Sequence, residues 1–251
     1  MSGIQEQDFI YGLVRLQQPK TLIEVGVSGG NMAKSLLKAI EDTYRDFGIE
    51  GSYTGYDVWK DHGLLRNFAG VGTKESVSEI LAEIGTHYDL VEIDTQADSV
   101  NFVADLQNRF VNGIDFAFID GDHSYHGIAN DFFNVWPYLS PNAIVAFHDT
   151  AIIDGCREFM TDLRLHNNGS YNVTDFPYGW TPRNCGLTLI TKPGFGNVKI
   201  DESCGSVGTI KEIYNKEKQL ALEIESLDEW WTMNLDLYTR QLPKQKLNDL
   251  I

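Results

Sequence analysis

Thr21-Leu22-Ile23-Glu24-Val25-Gly26-Val27-Ser28-Gly29-Gly30 decides the fold: five residues of strand character run into a glycine-rich turn. Directly behind it, Met32, Ala33, Leu36, Leu37 and Ile40 recur at helical spacing. Strand, glycine turn and helix form the opening unit of an α/β sheet, and the unit repeats along the chain. Further strands are predicted at Tyr53–Asp57, Asp89–Ile93, Ile114–Ile119 and Ala143–Phe147. Between them lie helices carrying Val77, Ile80, Leu81 and Ile84 behind a Thr73 cap and ending at Gly85, then Val103, Leu106 and Phe110. The next two carry Ile128, Phe132, Val135, Trp136 and Leu139, stopping near Pro141, and then Cys156, Phe159, Met160 and Leu163. Two last strands, Tyr171–Phe176 and Leu187–Thr191, are joined by a loop too short for a crossover helix, which predicts an antiparallel pair. The expected architecture is doubly wound α/β with a mostly parallel sheet.

The 251 residues suffice for one substantial core with a small appendage. Residues 1–193 read as the domain, opened by a helix within residues 1–18 whose apolar positions are Ile10, Leu13, Val14 and Leu16. Residues 194–251 form a C-terminal extension, partly helical at Ile210, Ile213 and Tyr214 and alternating at Trp231, Met233, Leu235 and Leu237. That pattern admits a lid, a contact between copies in a homo-oligomer, or a helix on the sheet. A net charge of −16 repels a phosphate backbone, so no nucleic-acid partner is expected. No apolar run is long enough to span a membrane, and the N-terminus lacks the pattern of a secretory signal. Cys156, Cys185 and Cys204 are odd in number and widely spaced, as reduced thiols in a cytoplasmic protein are.

In an open α/β sheet, ligands bind beyond the carboxyl ends of the strands. The turn after the first strand admits four readings. A dinucleotide fingerprint requires glycine where Glu24 stands. Gly26, Ser28 and Gly30 match a nucleophile elbow, but too little chain precedes it and no histidine follows His166. A nucleoside-binding turn gives Glu24 a role, since a carboxylate there suits an ammonium and a sulfonium rather than a pyrophosphate. The fourth reading is a turn with no ligand. Asp57, at the tip of the second strand, is placed to accept two ribose hydroxyls or is a turn aspartate. Asp98 and Ser99 either meet an adenine or cap the helix they open.

The strongest local signal is FIDGDHSYHG, which sets Asp120, Asp122, His123 and Tyr125 after one apolar strand; AFHDT sets His148 and Asp149 after the next. If those strands are neighbours, their tips lie about 5 Å apart. Two carboxylates so close repel, unless a proton, a cation or a ligand lies between them. Oxygen donors suit Mg²⁺, Mn²⁺ or Ca²⁺, and His148 tilts the preference toward a transition metal. The alternative is a turn-capping Asp120 and a space-filling His148.

EVGVSGG, YDVW, FIDGDHSYHGIANDF, LSPNAIVAFHDT and CGLTLITK together resemble the S-adenosylmethionine-dependent methyltransferases of the catechol and macrolide-sugar O-methyltransferase kind, over about residues 20 to 192. The resemblance implies a seven-stranded, Rossmann-like sheet whose last strand is antiparallel. It implies Glu24, Gly26, Ser28 and Gly30 at the methionine portion of the cofactor, Asp57 on the ribose, and Asp98 with Ser99 at the adenine. Asp120 borders the cofactor and, with His148 and Asp149, forms the implied site of a divalent ion. Asp122 or His148 is the implied proton acceptor. The implied reaction is methyl transfer to a hydroxyl of a small molecule, a sugar or an aromatic ring. Trp59, Tyr178 and Trp180 either line a pocket for such an acceptor or belong to the core or its rim. His148 stands where some members have a second carboxylate, and Asn142 replaces a glycine after Pro141. A catalytically idle cofactor-binding subunit and a serine hydrolase acting through Ser28 are the competing functions.

Overall fold

The computed structural model describes residues 4–59, 72–167, 171–176 and 185–192. The strands are β1 (Thr21–Val25), β2 (Ser52–Asp57), β3 (Tyr88–Glu92), β4 (Ile114–Ile119), β5 (Leu139–His148), β6 (Asn172–Phe176) and β7 (Leu187–Thr191). The helices are α1 (Ile4–Gln17), α2 (Asn31–Phe47), α3 (Lys74–Ala82), α4 (Ser99–Arg109), α5 (Tyr125–Val135) and α6 (Asp154–Leu165). One sheet runs β3-β2-β1-β4-β5-β7-β6, parallel except for β7, which is antiparallel to both its neighbours. The expected seven strands and antiparallel last strand are both present.

Apolar residues on either side of each strand separate into two clusters. One gathers Leu22, Phe116, Phe118 and Ala146 beneath α1, α2 and α3; the other gathers Ile23, Ala117, Val145 and Phe147 beneath α4, α5 and α6. Side chains alternate across a strand, so each central strand must be apolar on both faces. The helix stripes follow the predicted periods closely. Met32, Ala33, Leu36, Leu37 and Ile40 are buried on α2, and Cys156, Phe159, Met160 and Leu163 on α6.

Four expectations shift. Leu16 on α1 is 82% exposed, because the buried stripe of that helix is Ile10 and Val14. On α4 the buried positions are Phe102 and Leu106, with Val103 only half-buried. Leu139, expected at the end of a helix, opens β5 instead: a short 3-10 turn at Trp136–Tyr138 ends α5, and Leu139 pairs with Ile114. The register then slips before Phe116, and Asn142 takes the left-handed conformation that glycine would favour (φ 67°). Helix α3 begins at the Thr73 cap as expected but ends at Ala82, ahead of Gly85.

Helix α1 lies lengthwise beside β4 and β5. At its C-terminal end the Gln17 amide donates to the Asp115 carbonyl (2.8 Å) and, at longer range, to that of Asn142 (3.5 Å). At its other end Glu6 meets His148. The extension after residue 193, Cys204, Tyr178 and Trp180 lie outside the described residues. Among the described residues, no helix is long and apolar enough to cross a membrane.

Phe132 is fully buried, its ring against Phe133, Trp136, Phe147 and Phe159, with centroids 5.1 to 5.7 Å away. Phe132→Ala is expected to cost about 3–5 kcal/mol, as a cavity in a close-packed cluster does. Urea unfolding followed by tryptophan fluorescence measures it.

Candidate active site

Register builds the site. Val25 pairs with Tyr56 on one side and Ile119 on the other, and Ile119 pairs with Phe147. The next residues along, Gly26, Asp57, Asp120 and His148, therefore form one row across the carboxyl edge of four parallel strands. The strand order reverses between β1 and β4, so the row straddles the point where open α/β sheets bind ligands.

Gly26 has no substitute here. Its φ is +91°, and a Cβ on it would lie 2.1 Å from the Asp120 carbonyl oxygen. Gly30 (φ +77°) opens α2 without a side-chain cap, leaving first-turn N–H groups unclaimed by any capping side chain. Between them the Ser28 N–H (φ 51°) donates to Asp57 Oδ2 at 2.8 Å, while the Trp59 N–H donates to Asp57 Oδ1 at 2.8 Å. Asp57 thus ties the turn to its own strand, and each of its oxygens keeps a second lone pair. Glu24 is 1% exposed and accepts from the Tyr53 hydroxyl at 2.5 Å. Burial pushes its carboxyl up to about 8; the Tyr53 bond opposes this, and the charges of Asp120 and Asp57 add to it.

Past β3, Asp98 occupies the N-cap position of α4 but makes no capping bond; both its oxygens accept from the Asn101 amide (2.8 and 3.0 Å). Ser99 opens the helix. The cap reading is therefore met in position but not in bonding.

At the tips of β4 and β5, Asp120, His123, His148 and Asp149 bring one donor atom each to within 4.8 Å of one another. Carboxyls and imidazoles alternate. His123 Nε2 lies 3.0 Å from Asp120 and 3.2 Å from Asp149; His148 Nδ1 lies 3.0 Å from Asp120 and 3.3 Å from Asp149. Burial alone would push both acids up, but the His148 charge and hydrogen bonds from the imidazoles hold Asp120 well below the usual carboxylate range, and Asp149 below it too. Conversely, burial lowers the two histidines, and Asp120 more than reverses this, raising His123 and raising His148 further.

Asp120, His148 and Asp149 thus come together as expected, whereas Asp122 lies outside this group. Its Oδ1 accepts the Ser124 N–H (2.9 Å), its carboxyl lies against Gly127 at the start of α5, and its buried Oδ2 has no partner among the described residues. Burial raises its pKa. Two participants were not assigned from sequence. His123 sits in the motif that drew attention, and its spacing of three from Asp120 was a usable signal. Glu6, on α1, carried none.

A methyltransferase domain family matches residues 23–150, just over half of the chain. An uncharacterized protein of Acanthamoeba polyphaga mimivirus is 22% identical over 148 residues, which are 53% of this chain and 66% of that protein. The chain thus matches slightly less than two thirds of that relative's length. Among solved structures, the O-methyltransferase TomG from Streptomyces achromogenes, involved in tomaymycin synthesis and in complex with SAM, superposes with a TM-score of 0.58 at 20% identity, over 77% of this chain and 82% of that one. An O-methyltransferase from Bacillus cereus in complex with SAH gives 0.57 at 14% identity, over 76% and 82%. At such identities these two establish the fold, and the family match establishes the class. The Ser28 hydrolase reading has no place in that class, and both histidines of the cluster are engaged by carboxylates. The chain belongs to the methyltransferase domain family.

Proposed function

We propose that the protein transfers the methyl group of S-adenosylmethionine to a hydroxyl of a small molecule, a sugar or an aromatic ring, beside a divalent cation. The observation that carries this reading is the row itself: a glycine turn, a ribose-height carboxylate and an acid–imidazole cluster at one level of the sheet. Glu24 faces the ammonium of the methionine portion, and its carboxylate is accommodated by the uncapped N-terminus of α2. Gly26, Ser28 and Gly30 admit the ligand close to the backbone, Asp57 takes the ribose hydroxyls, and Asp98 with Ser99 borders the adenine. A neutral acceptor suits so acidic a protein better than a polyphosphate.

The cluster fits a cation on charge. Two aspartates against two imidazolium rings balance, and the same aspartates with neutral imidazoles balance one divalent ion. Asp120, Asp149 and His148 would hold it, a mixed oxygen and nitrogen set that suits Mn²⁺ or Fe²⁺ as well as Mg²⁺. Bound there, it would lower the pKa of an acceptor hydroxyl. His123, with 15% side-chain exposure against 1% for His148, is the imidazole open to an acceptor. With Asp120 and Asp149 facing a cation, the pull that keeps His123 protonated would be relieved, leaving its ring able to accept the hydroxyl proton. The methyl donor is already activated, so orientation and a deprotonated oxygen are what the protein contributes.

Three outcomes test this. Placing an ammonium beside Glu24 lowers its pKa from about 8, so binding releases a proton and affinity rises as pH increases toward about 8. Calorimetry of S-adenosylmethionine in buffers of different ionisation enthalpy measures this, and Glu24→Gln abolishes the pH dependence; pH-independent affinity in the parent removes Glu24 from the site. Gly26→Ala drives a methyl into the Asp120 carbonyl and is expected to weaken cofactor binding by at least tenfold. Across a panel of sugar and catechol acceptors, S-adenosylhomocysteine formation should fall by about 10²–10⁴ in His123→Asn, with less loss in Asp122→Asn. It should also stop with EDTA and return with Mn²⁺; turnover indifferent to EDTA excludes the cation.

A further inference from the structure

His148 is buried at 1% exposure, and its two ring nitrogens face different things. Nδ1 points to Asp120 and Asp149 in the row. Nε2 lies 3.3 Å from Glu6 Oε2, a buried acid on α1, 142 residues away in sequence. A histidine that presents one nitrogen to a site is commonly held by a hydrogen bond from the other to a carboxylate, which fixes the ring's orientation and its tautomer.

We propose that Glu6 is the positioning residue of this site. It accepts Nε2–H from His148 and so presents Nδ1, with its lone pair, to the cation held by Asp120 and Asp149. The proposal rests on the reading of the row as a cation-assisted methyl-transfer site. The geometry supports a specific anchor. Gln17 holds the far end of α1 to the start of β4 and β5, at Asp115 and Asn142. From residue 6 to 17 a helix advances about 16 Å, and from residue 142 to 148 a strand advances about 20 Å. The helix is thus matched in length to the strand beside it, and its acid arrives at the tip of β5. Cys185 lies beside Glu6 and His148, with all three donor atoms within 4.8 Å of one another. Burial pushes its thiol up to about 11, so it stands there as a neutral neighbour rather than a competing anion.

The test compares the full chain with Glu6→Gln, which keeps the side chain's size, and Glu6→Ala. Mn²⁺ binding is measured by electron paramagnetic resonance. The His148 ring N–H is followed by ¹⁵N-histidine NMR on the cation-free protein, assigned with His148→Asn. The expected result is a far-downfield Nε2–H resonance in the parent that moves or vanishes in both variants. Mn²⁺ should bind about 10–100-fold more weakly in them, while S-adenosylmethionine affinity is retained as the sign of an intact fold. Unchanged Nε2–H resonance and unchanged Mn²⁺ affinity in Glu6→Gln overturn the proposal. If the resonance shifts but the parent itself binds no Mn²⁺, Glu6 still positions His148, and it is the cation of the proposed function that falls.

Discussion

The approach of β1's turn to β4's tip sets everything else. The Asp120 N–H bonds to the Val25 carbonyl at 2.8 Å, and the Asp120 carbonyl occupies the space where any side chain on residue 26 would begin. Only glycine allows it. With that contact made, the ends of four strands are level, the turn overhangs the switch point, and Asp120 stands within reach of His148 on the next strand.

Two electrostatic regimes then sit side by side. At the cofactor turn, Glu24 is buried with one phenol for company, and protonation relieves it. A few residues away, half-buried Asp120 and buried Asp149 stand among imidazoles that keep them charged. Desolvation acts on all three; what differs is the partner. A cationic ligand at the first position and a cation at the second would each replace protons, so occupancy of the edge is linked to proton release throughout.

Most of this fold was readable in the chain. Strands β1 and β4 fall on the predicted residues because they are apolar on both faces, and α2 and α6 because their stripes are unbroken. Leu139 was misplaced because an apolar residue one turn beyond a helix looks the same whether it extends the helix or begins a strand; only pairing with Ile114 decides. Asp120, His148 and Asp149 were legible since each directly follows a strand. Glu6 was not, nor was Asp131, which is fully buried on α5 and pushed up to about 7 by that burial. An acid on a helix has the same sequence signature facing water as facing the interior. Asp122 shows the converse limit: adjacency in the DGD motif does not say which way a side chain turns.

Helix α1 is synthesised well before β5, yet its acid meets His148 only once β5 is in place. Nearer partners already lie on α2, where Asp42 receives the Tyr11 hydroxyl and Asp46 the Arg15 guanidinium, each 31 residues away. The two helices can therefore pair early, as a preformed slab onto which the later strands settle. Closing a loop of 142 residues in a free chain costs about 4 kcal/mol of entropy, a cost reduced once the slab has docked. Glu6 thus waits on that slab for its partner, and the site remains unfinished in any nascent chain that has not yet reached residue 148.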